Sequence, residues 1–391
     1  MSTGIIAIGK RHKVVFLALG IGMGMSQGIT SAQSFEGLGF LTGGTFSTAN
    51  GISADGSTVA GMAVNPAYTS ASKHEATIWT VGGGITGLGT LTGGGESDAL
   101  AASAKNGVVV GNSSASGSSS EAYRWTSGGG MVGLGFLPNG LTSISSGVST
   151  DGTVVAGYGI VSTTGQDEAW RWTSGGGMIG LGVLPGGGAS AAFGMSFDGS
   201  VVVGGGSSSL SADQAWRWTS GGGMLGLGLL PGGFTTQANG VSGNGLVVVG
   251  YGLNSNSVNE AWRWTSGSGL VALGFVPGLP ISSALAASGN GNVIVGWGSN
   301  GTSYDAAIWD PLDGMRNLQS VLTAQYGLAL SGWTLEEATG VSADGNTIVG
   351  YGIDPMGYTE AWLAQIPEPG TLALVLTGLS YLFCLRMLKR K

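Results

Sequence analysis

Six tryptophans mark time along this chain: Trp79, Trp125, Trp172, Trp218, Trp264 and Trp309 follow one another at spacings of 46, 47, 46, 46 and 45 residues. The first five sit in near-copies of the segment EAWRWTSGGGMIGLGVLPGG, which runs from Glu168; the others begin at Ala76, Glu121, Gln214 and Glu260, and Trp309 keeps the same position in a more divergent sixth. A seventh copy, EAWLAQ from Glu360, keeps Trp362 and puts Ala364 at the other tryptophan position. A fixed period of this length means one supersecondary unit used repeatedly, each copy burying its apolar face against the next.

Within a period the signals are those of short strands. Residues 143–149 alternate small and apolar side chains, Asp151-Gly152 follows, and 153–157 is a β-branched run. An Asp-Gly or Asn-Gly pair between two such runs predicts a hairpin with a type I′ turn, since glycine accepts the positive φ required there. The pair recurs at Asp55, Asn106, Asp198, Asn244, Asn290 and Asp344, so seven hairpins are expected. A variable Ser/Gly/Asn loop comes next, then the Glu-Ala-Trp-Arg-Trp strand, a glycine-rich turn and a fourth strand. Side chains alternate along a strand, so Trp170 and Trp172 share one face and Arg171 points the other way.

Four antiparallel strands in about 46 residues is the content of a propeller blade. The domain opens with FEGLGFLTGG from Phe35, a fourth strand alone, and closes with EAWLAQI, a third strand alone. Such an offset serves a ring in which the opening strand completes the last blade, whereas an open solenoid needs polar caps instead. The expected fold is therefore all-β, a seven-bladed β-propeller over residues 33–366 closed by its N-terminal strand.

Glycine supplies 79 of 391 residues, a large entropic cost. Tryptophan offsets it, because one buried ring removes about 150 to 250 Å² from water, at most about 4 to 6 kcal/mol. One stretch departs from the period: in 311–333, Leu318, Val321, Leu322 and Tyr326 fall on one helical face, predicting a short helix beside the closure or an elaborated loop.

The flanks differ from the repeats. Residues 1–32 read as a secretory signal peptide: Lys10, Arg11 and Lys13, then an apolar run from Val14, then small residues ending at Ala32, the expected cleavage position. Residues 367–391 open with Pro367, Glu368 and Pro369. An uncharged apolar stretch of 371–385 follows, then Arg386, Lys389, Arg390 and Lys391. That pattern predicts a transmembrane helix with a basic membrane stop on the cytoplasmic side. Both ends agree on export and on at least transient contact with the membrane; a plain anchor behind a rigid Pro-rich linker is the simpler alternative for the tail.

Between the flanks, 20 acidic and 7 basic side chains leave a net charge near −13. A nucleic-acid partner needs a basic footprint, so this domain is not expected to bind one. Cys384, the single cysteine, lies in the apolar tail, leaving no disulfide to staple the domain.

Enzyme chemistry finds no constellation. His12 lies in the signal and His74 on an expected loop, so neither a His/Cys metal cluster nor a Ser-His-Asp system assembles, and no cofactor or metal is expected. The carboxylate neighbours Asp167/Glu168 and Glu336/Glu337 would point to opposite faces of a strand, unsuited to act as an acid and base pair for glycosides. The Gly-Gly-Gly segments lack the Lys-Ser/Thr of a phosphate-cradling loop and read as turns. Asp in the hairpins suits Ca²⁺, but Asn replaces it at three of the seven pairs, which a turn preference explains. Arg124, Arg171, Arg217 and Arg263 beside aromatics suit an acidic glycan, or pair with Glu or Asp of the same or a neighbouring blade, such as Glu168 or Asp213.

Two family resemblances rest on these residues. The repeat, with its Trp-Thr, Gly-Gly-Gly-Met-x-x-Leu-Gly, Asp-Gly and Val-Val-Val-Gly elements, resembles the HAF-type extracellular repeats of secreted bacterial proteins, although Ala-Trp mostly replaces the family's Ala-Phe. The tail, Pro367-Glu368-Pro369-Gly370 with its apolar span and basic end, resembles the PEP-CTERM sorting signal. That resemblance implies a membrane-embedded exosortase as processing partner and a destination at the outer surface or in exopolysaccharide matrix. The expected function is that of a non-catalytic exported protein, with binding on the variable loops 63–73, 113–120 and 254–259. A carbohydrate-binding module for the matrix polysaccharide is the alternative, and a polysaccharide-degrading enzyme a more distant one.

Overall fold

A computed structural model describes residues 33–68, 73–115, 120–161, 164–211 and 213–366. The signal segment with Ala32, the motif Pro367 to Pro369 and the basic residues Arg386 to Lys391 lie outside the described residues. Among the described residues no helix is long and apolar enough to cross a membrane.

The strands form seven four-stranded antiparallel sheets, one per repeat. Blade 1 illustrates the order, innermost to outermost: Ser47–Ile52, Thr58–Val64, His74–Thr80 and Gly84–Gly87. In blade 7 the strands Thr334–Val341, Thr347–Ile353 and Thr359–Gln365 are completed by Ser34–Gly37 from the other end of the chain. Ser34 lies opposite Gln365 and Gly37 opposite Trp362, so the ring closes by strand exchange as the offset termini predict.

Between neighbouring blades sit seven apolar clusters, each drawn from two repeats. In one, Val201, Val203 and Ala215 of blade 4 meet Ala238, Val248 and Trp262 of blade 5. The first aromatic of the Trp-Arg-Trp strand fills these spaces: Tyr123, Trp170, Trp216, Trp262 and Trp362 are all fully buried. The second tryptophan, as at Trp172 and Trp218, is half-buried beside the same clusters. Gly204 shows what the ring demands of the second strand. A Cβ there would run into the carbonyl oxygen of Ala191 and stand 2.7 Å from the indole of Trp216.

The hairpins are present, but their turn differs from the type I′ expected. Only Asn106-Gly107 has positive φ at both residues (63° and 54°); at the other six pairs the glycine alone adopts it. Gly56 N donates to Ser53 O, making a tight turn that ends on a left-handed glycine. A serine decides this geometry, two residues before the Asp or Asn at six hairpins and three before it at Asn106, where Ser103 Oγ donates to Lys105 O. Ser149 Oγ donates to Asp151 Oδ1 at 2.6 Å and accepts from Val154 N at 3.0 Å, locking the loop from inside. The same serine stands at Ser53, Ser103, Ser196, Ser242, Ser288 and Ser342, every one buried.

The aperiodic segment does contain a helix, Leu318–Ala324, capped by Asn317, whose side chain accepts from Ser320 N. Leu318, Val321, Leu322 and Tyr326 pack with Leu335, Trp362 and Ile366, beside the closing blade.

Candidate functional site

Antiparallel topology gives the ring two unlike ends. The Asp-Gly hairpins and the Gly-Gly-Gly turns share one end; the variable loops and the links between blades share the other. At the hairpin end, backbone hydrogen bonds run from blade to blade: Lys105 N to Thr150 O, Thr150 N to Phe197 O, Phe197 N to Gly243 O, Asn244 N to Gly289 O, Gly289 N to Ala343 O and Ala343 N to Ala54 O. That chain ties six of the seven junctions.

The innermost strands enclose a central channel of about 790 Å³. Each carries a bulge at the same height, because two residues there oppose one on the second strand. The extra residues are Asn50, Leu100, Ser146, Phe193, Asn239, Leu285 and Thr339 around the ring, all lining the channel or flanking it. The polar ones reach the next blade: Asn50 Nδ2 donates to Ala99 O (2.9 Å), Ser146 Oγ to Ala192 O (2.8 Å), Asn239 Nδ2 to Ala284 O (2.9 Å) and Thr339 Oγ1 to Ala49 O (2.7 Å). These groups are committed to the ring and are not free for a ligand.

Among the described residues, charge in the channel lining comes from Glu336 and Glu337 alone. Alternation would have sent them to opposite faces; a second bulge, between Leu335 and Glu337, adds Glu336 as an unpaired residue, and both carboxylates line the channel. Burial pushes both carboxyls above the usual range; for Glu337 the Tyr351 hydroxyl pulls the other way and Glu336 adds to the rise.

Towards the variable loops, one position of each second strand, the residue after the repeat's glycine, forms a belt that meets the channel lining at blades 1 and 7. It is Met62, Asn112, Tyr158, Gly205, Tyr251, Trp297 and Tyr351 in blades 1 to 7. Four of these are half-buried aromatic rings. Tyr158 meets Phe193 edge-on at 5.7 Å, Trp297 meets Tyr304 at 5.1 Å, and Tyr251 Oη lies 3.3 Å from Gln237 Oε1. Carboxyls of Asp98, Asp167 and Asp213 stand among them, each raised above its ordinary value chiefly by burial.

His74 opens a strand instead of occupying a loop; it stacks on Phe46 at 5.9 Å, and its Nδ1 lies 3.7 Å from Asp98 Oδ1. The repeated arginines are structural, but their partners are not carboxylates. Arg124 Nε donates to Gly152 O, Arg171 Nε to Gly199 O and Arg217 to Gly245 O, each the hairpin glycine of the next blade, at 3.3 Å. Arg263 lies over the Trp309 ring at 5.5 Å. The glutamate before the tryptophans is tied too: Glu75, Glu121, Glu168 and Glu360 accept from the backbone N–H of Gly89, Gly135, Gly182 and Gly39. Among the described residues no three His, Cys, Asp or Glu side chains come together as a metal site.

Fold and channel together define a seven-bladed β-propeller. No protein-family model and no curated protein matches the sequence. Among solved structures, the chain is similar to an oligogalacturonate lyase in complex with manganese (12% identity, TM-score 0.57, 86% of this chain and 97% of that one). It is also similar to the oligogalacturonate lyase of Vibrio parahaemolyticus (9%, 0.53, 86% and 98%). A third match is the β-propeller domain of the Trilobed protease from Pyrococcus furiosus, which has an open velcro topology (11%, 0.51, 82% and 95%). A match to TolB of Acinetobacter baumannii spans 60% of that protein's length (14%, 0.43). At these identities the likeness is one of fold, and fold alone does not assign chemistry.

Proposed function

We propose that the chain is a non-catalytic, exported protein of the cell surface or extracellular matrix, sorted through Pro367-Glu368-Pro369 by an exosortase-type membrane enzyme. The observation that supports it most is where the propeller's ends emerge. Ser34 pairs with Gln365, and Ile366 N donates to Asn346 O beside the last hairpin, so both ends leave blade 7 at the hairpin end. The variable loops occupy the opposite end. A leader and a sorting tail can then be removed, or a tether kept, without disturbing the ring or covering the loops.

Intact mass of the protein from native cell surface and medium tests this, against a variant carrying Pro367→Ala and Glu368→Ala. A mature species starting near Gln33 and ending near Pro367, absent from the variant, is the expected result. Full-length tails in both would leave a plain membrane anchor.

The half-buried aromatic rings towards the loop end, of which Tyr351 lines the channel, favour a second reading, in which the loop end binds a matrix polysaccharide. Tyrosine and tryptophan rings with one apolar face and one polar tip suit the mixed C–H and hydroxyl surface of a sugar.

A further inference from the structure

The repeat is strict where blades touch and loose in one band. Positions that bury side chains between blades hold Val, Ala, Gly and Trp again and again, whereas the belt position reads Met, Asn, Tyr, Gly, Tyr, Trp, Tyr. A position that packing does not dictate, and that nevertheless collects large half-buried aromatics towards the loop end, with Tyr351 in the channel lining itself, is a place for a ligand.

Electrostatics narrow its class. Four of the domain's arginines are spent at the far end, three on the hairpin carbonyls and one on Trp309, and among the described residues no basic side chain lines the channel. The charges in the channel lining are Glu336 and Glu337, side by side on one doubly bulged strand, with Tyr351 bonded to Glu337 and Tyr304 close by, and the carboxyls of Asp98, Asp167 and Asp213 among the belt residues add to the negative field. Two adjacent carboxylates in a half-buried site repel each other and any polyanion, and an ammonium ion relieves both penalties. Tyrosine and tryptophan faces attract the same cation.

Resting on the polysaccharide reading above, we infer that the loop end of the channel binds a glycan carrying free amino groups, with Glu336 and Glu337 holding an ammonium and the ring of Tyr351 packing against a pyranose face. The site selects against acidic glycans by charge and against acetylated amino sugars by loss of the cation.

Calorimetric titration of the full chain at neutral pH and low salt tests this, with tetramers of glucosamine, N-acetylglucosamine and galacturonate as probes. The glucosamine tetramer should bind at least ten-fold tighter than the acetylated one and lose that margin in 0.5 M salt. The Glu336→Gln/Glu337→Gln double variant should bind the two alike, while Lys105→Ala, at the hairpin end, should leave both affinities unchanged. Equal binding of the two hexosamines by the native chain overturns the amine assignment and leaves the polysaccharide reading standing. Preference for galacturonate overturns the charge argument, and no binding of any tetramer overturns both. The comparison among probes needs no variant, so a misfolded double variant does not spare the inference, and the sorting proposal is tested separately by mass.

Discussion

At the residue scale, the glycine content has a local cause at each strict position. Gly204 sits where the first strand's carbonyl and the Trp216 indole converge. Gly204→Ala is therefore expected to destabilise the domain by about 3 kcal/mol through overpacking, read as a lower midpoint of denaturant unfolding. The hairpin carboxylates act more gently. Hydrogen bonds from the Ser149 hydroxyl and from the amide and hydroxyl of Thr153 hold the Asp151 carboxyl down to about 2. A carboxylate depressed in the folded state contributes stability above its unfolded value near 4, and that contribution is lost as pH falls through the interval from about 4 to 2. Because Asp151 is solvent-exposed, Asp151→Ala should cost well under about 1 kcal/mol at pH 7, and most of the difference from the native chain should be gone by about pH 2 in thermal unfolding.

The element that holds the ring is the four-residue strand Ser34–Gly37. It covers the outer edge of blade 7, and Phe35 packs edge-on against Trp333 at 5.2 Å and beside Trp362 at 6.2 Å. Removing residues 33–37 exposes an unpaired strand edge and forfeits that aromatic packing. A loss of at least about 2 kcal/mol is expected, the value of burying one Phe, together with increased self-association measured by light scattering. The insertion beside this strand has an equally local reason. In six junctions a Ser or Thr opening the first strand bonds the preceding blade: Ser190 Oγ, for instance, accepts from Ala169 N and donates to Gly182 O. In blade 7 that position is Leu335, packed on Leu318 and Leu322. Helix and leucine replace the polar clasp with an apolar one.

Across the whole molecule, stability and recognition are separated by position. Inter-blade clusters and the backbone chain at the hairpin end carry the fold, and the loop end carries the variation. Residues 255–257 are exposed and bonded mainly to their own loop, through Asn254. Replacing them by Gly-Ser-Gly should leave unfolding within about 0.5 kcal/mol of the native value. If the loop end is the binding surface, polysaccharide affinity should change while stability does not.

Architecture was legible in the sequence because a period is a global property carried by local signals. Spacing of the tryptophans set the blade length, the Asp-Gly and Asn-Gly pairs set the hairpins, and the offset ends set the closure; all three rest on strand alternation and turn stereochemistry, which act over a few residues. The site was not legible in the same way. Alternation placed Glu336 and Glu337 on opposite faces, and a bulge imposed by pairing with the second strand brought them to one cavity. Acidic partners expected for the repeated arginines proved to be carbonyls 28 residues further on, in the next blade. A serine ahead of each Asp-Gly was present in the sequence as a repeated pattern, yet its meaning needed the buried turn it closes. Register and the meeting of blades depend on contacts between residues distant in sequence, so those features exist only once the ring has closed.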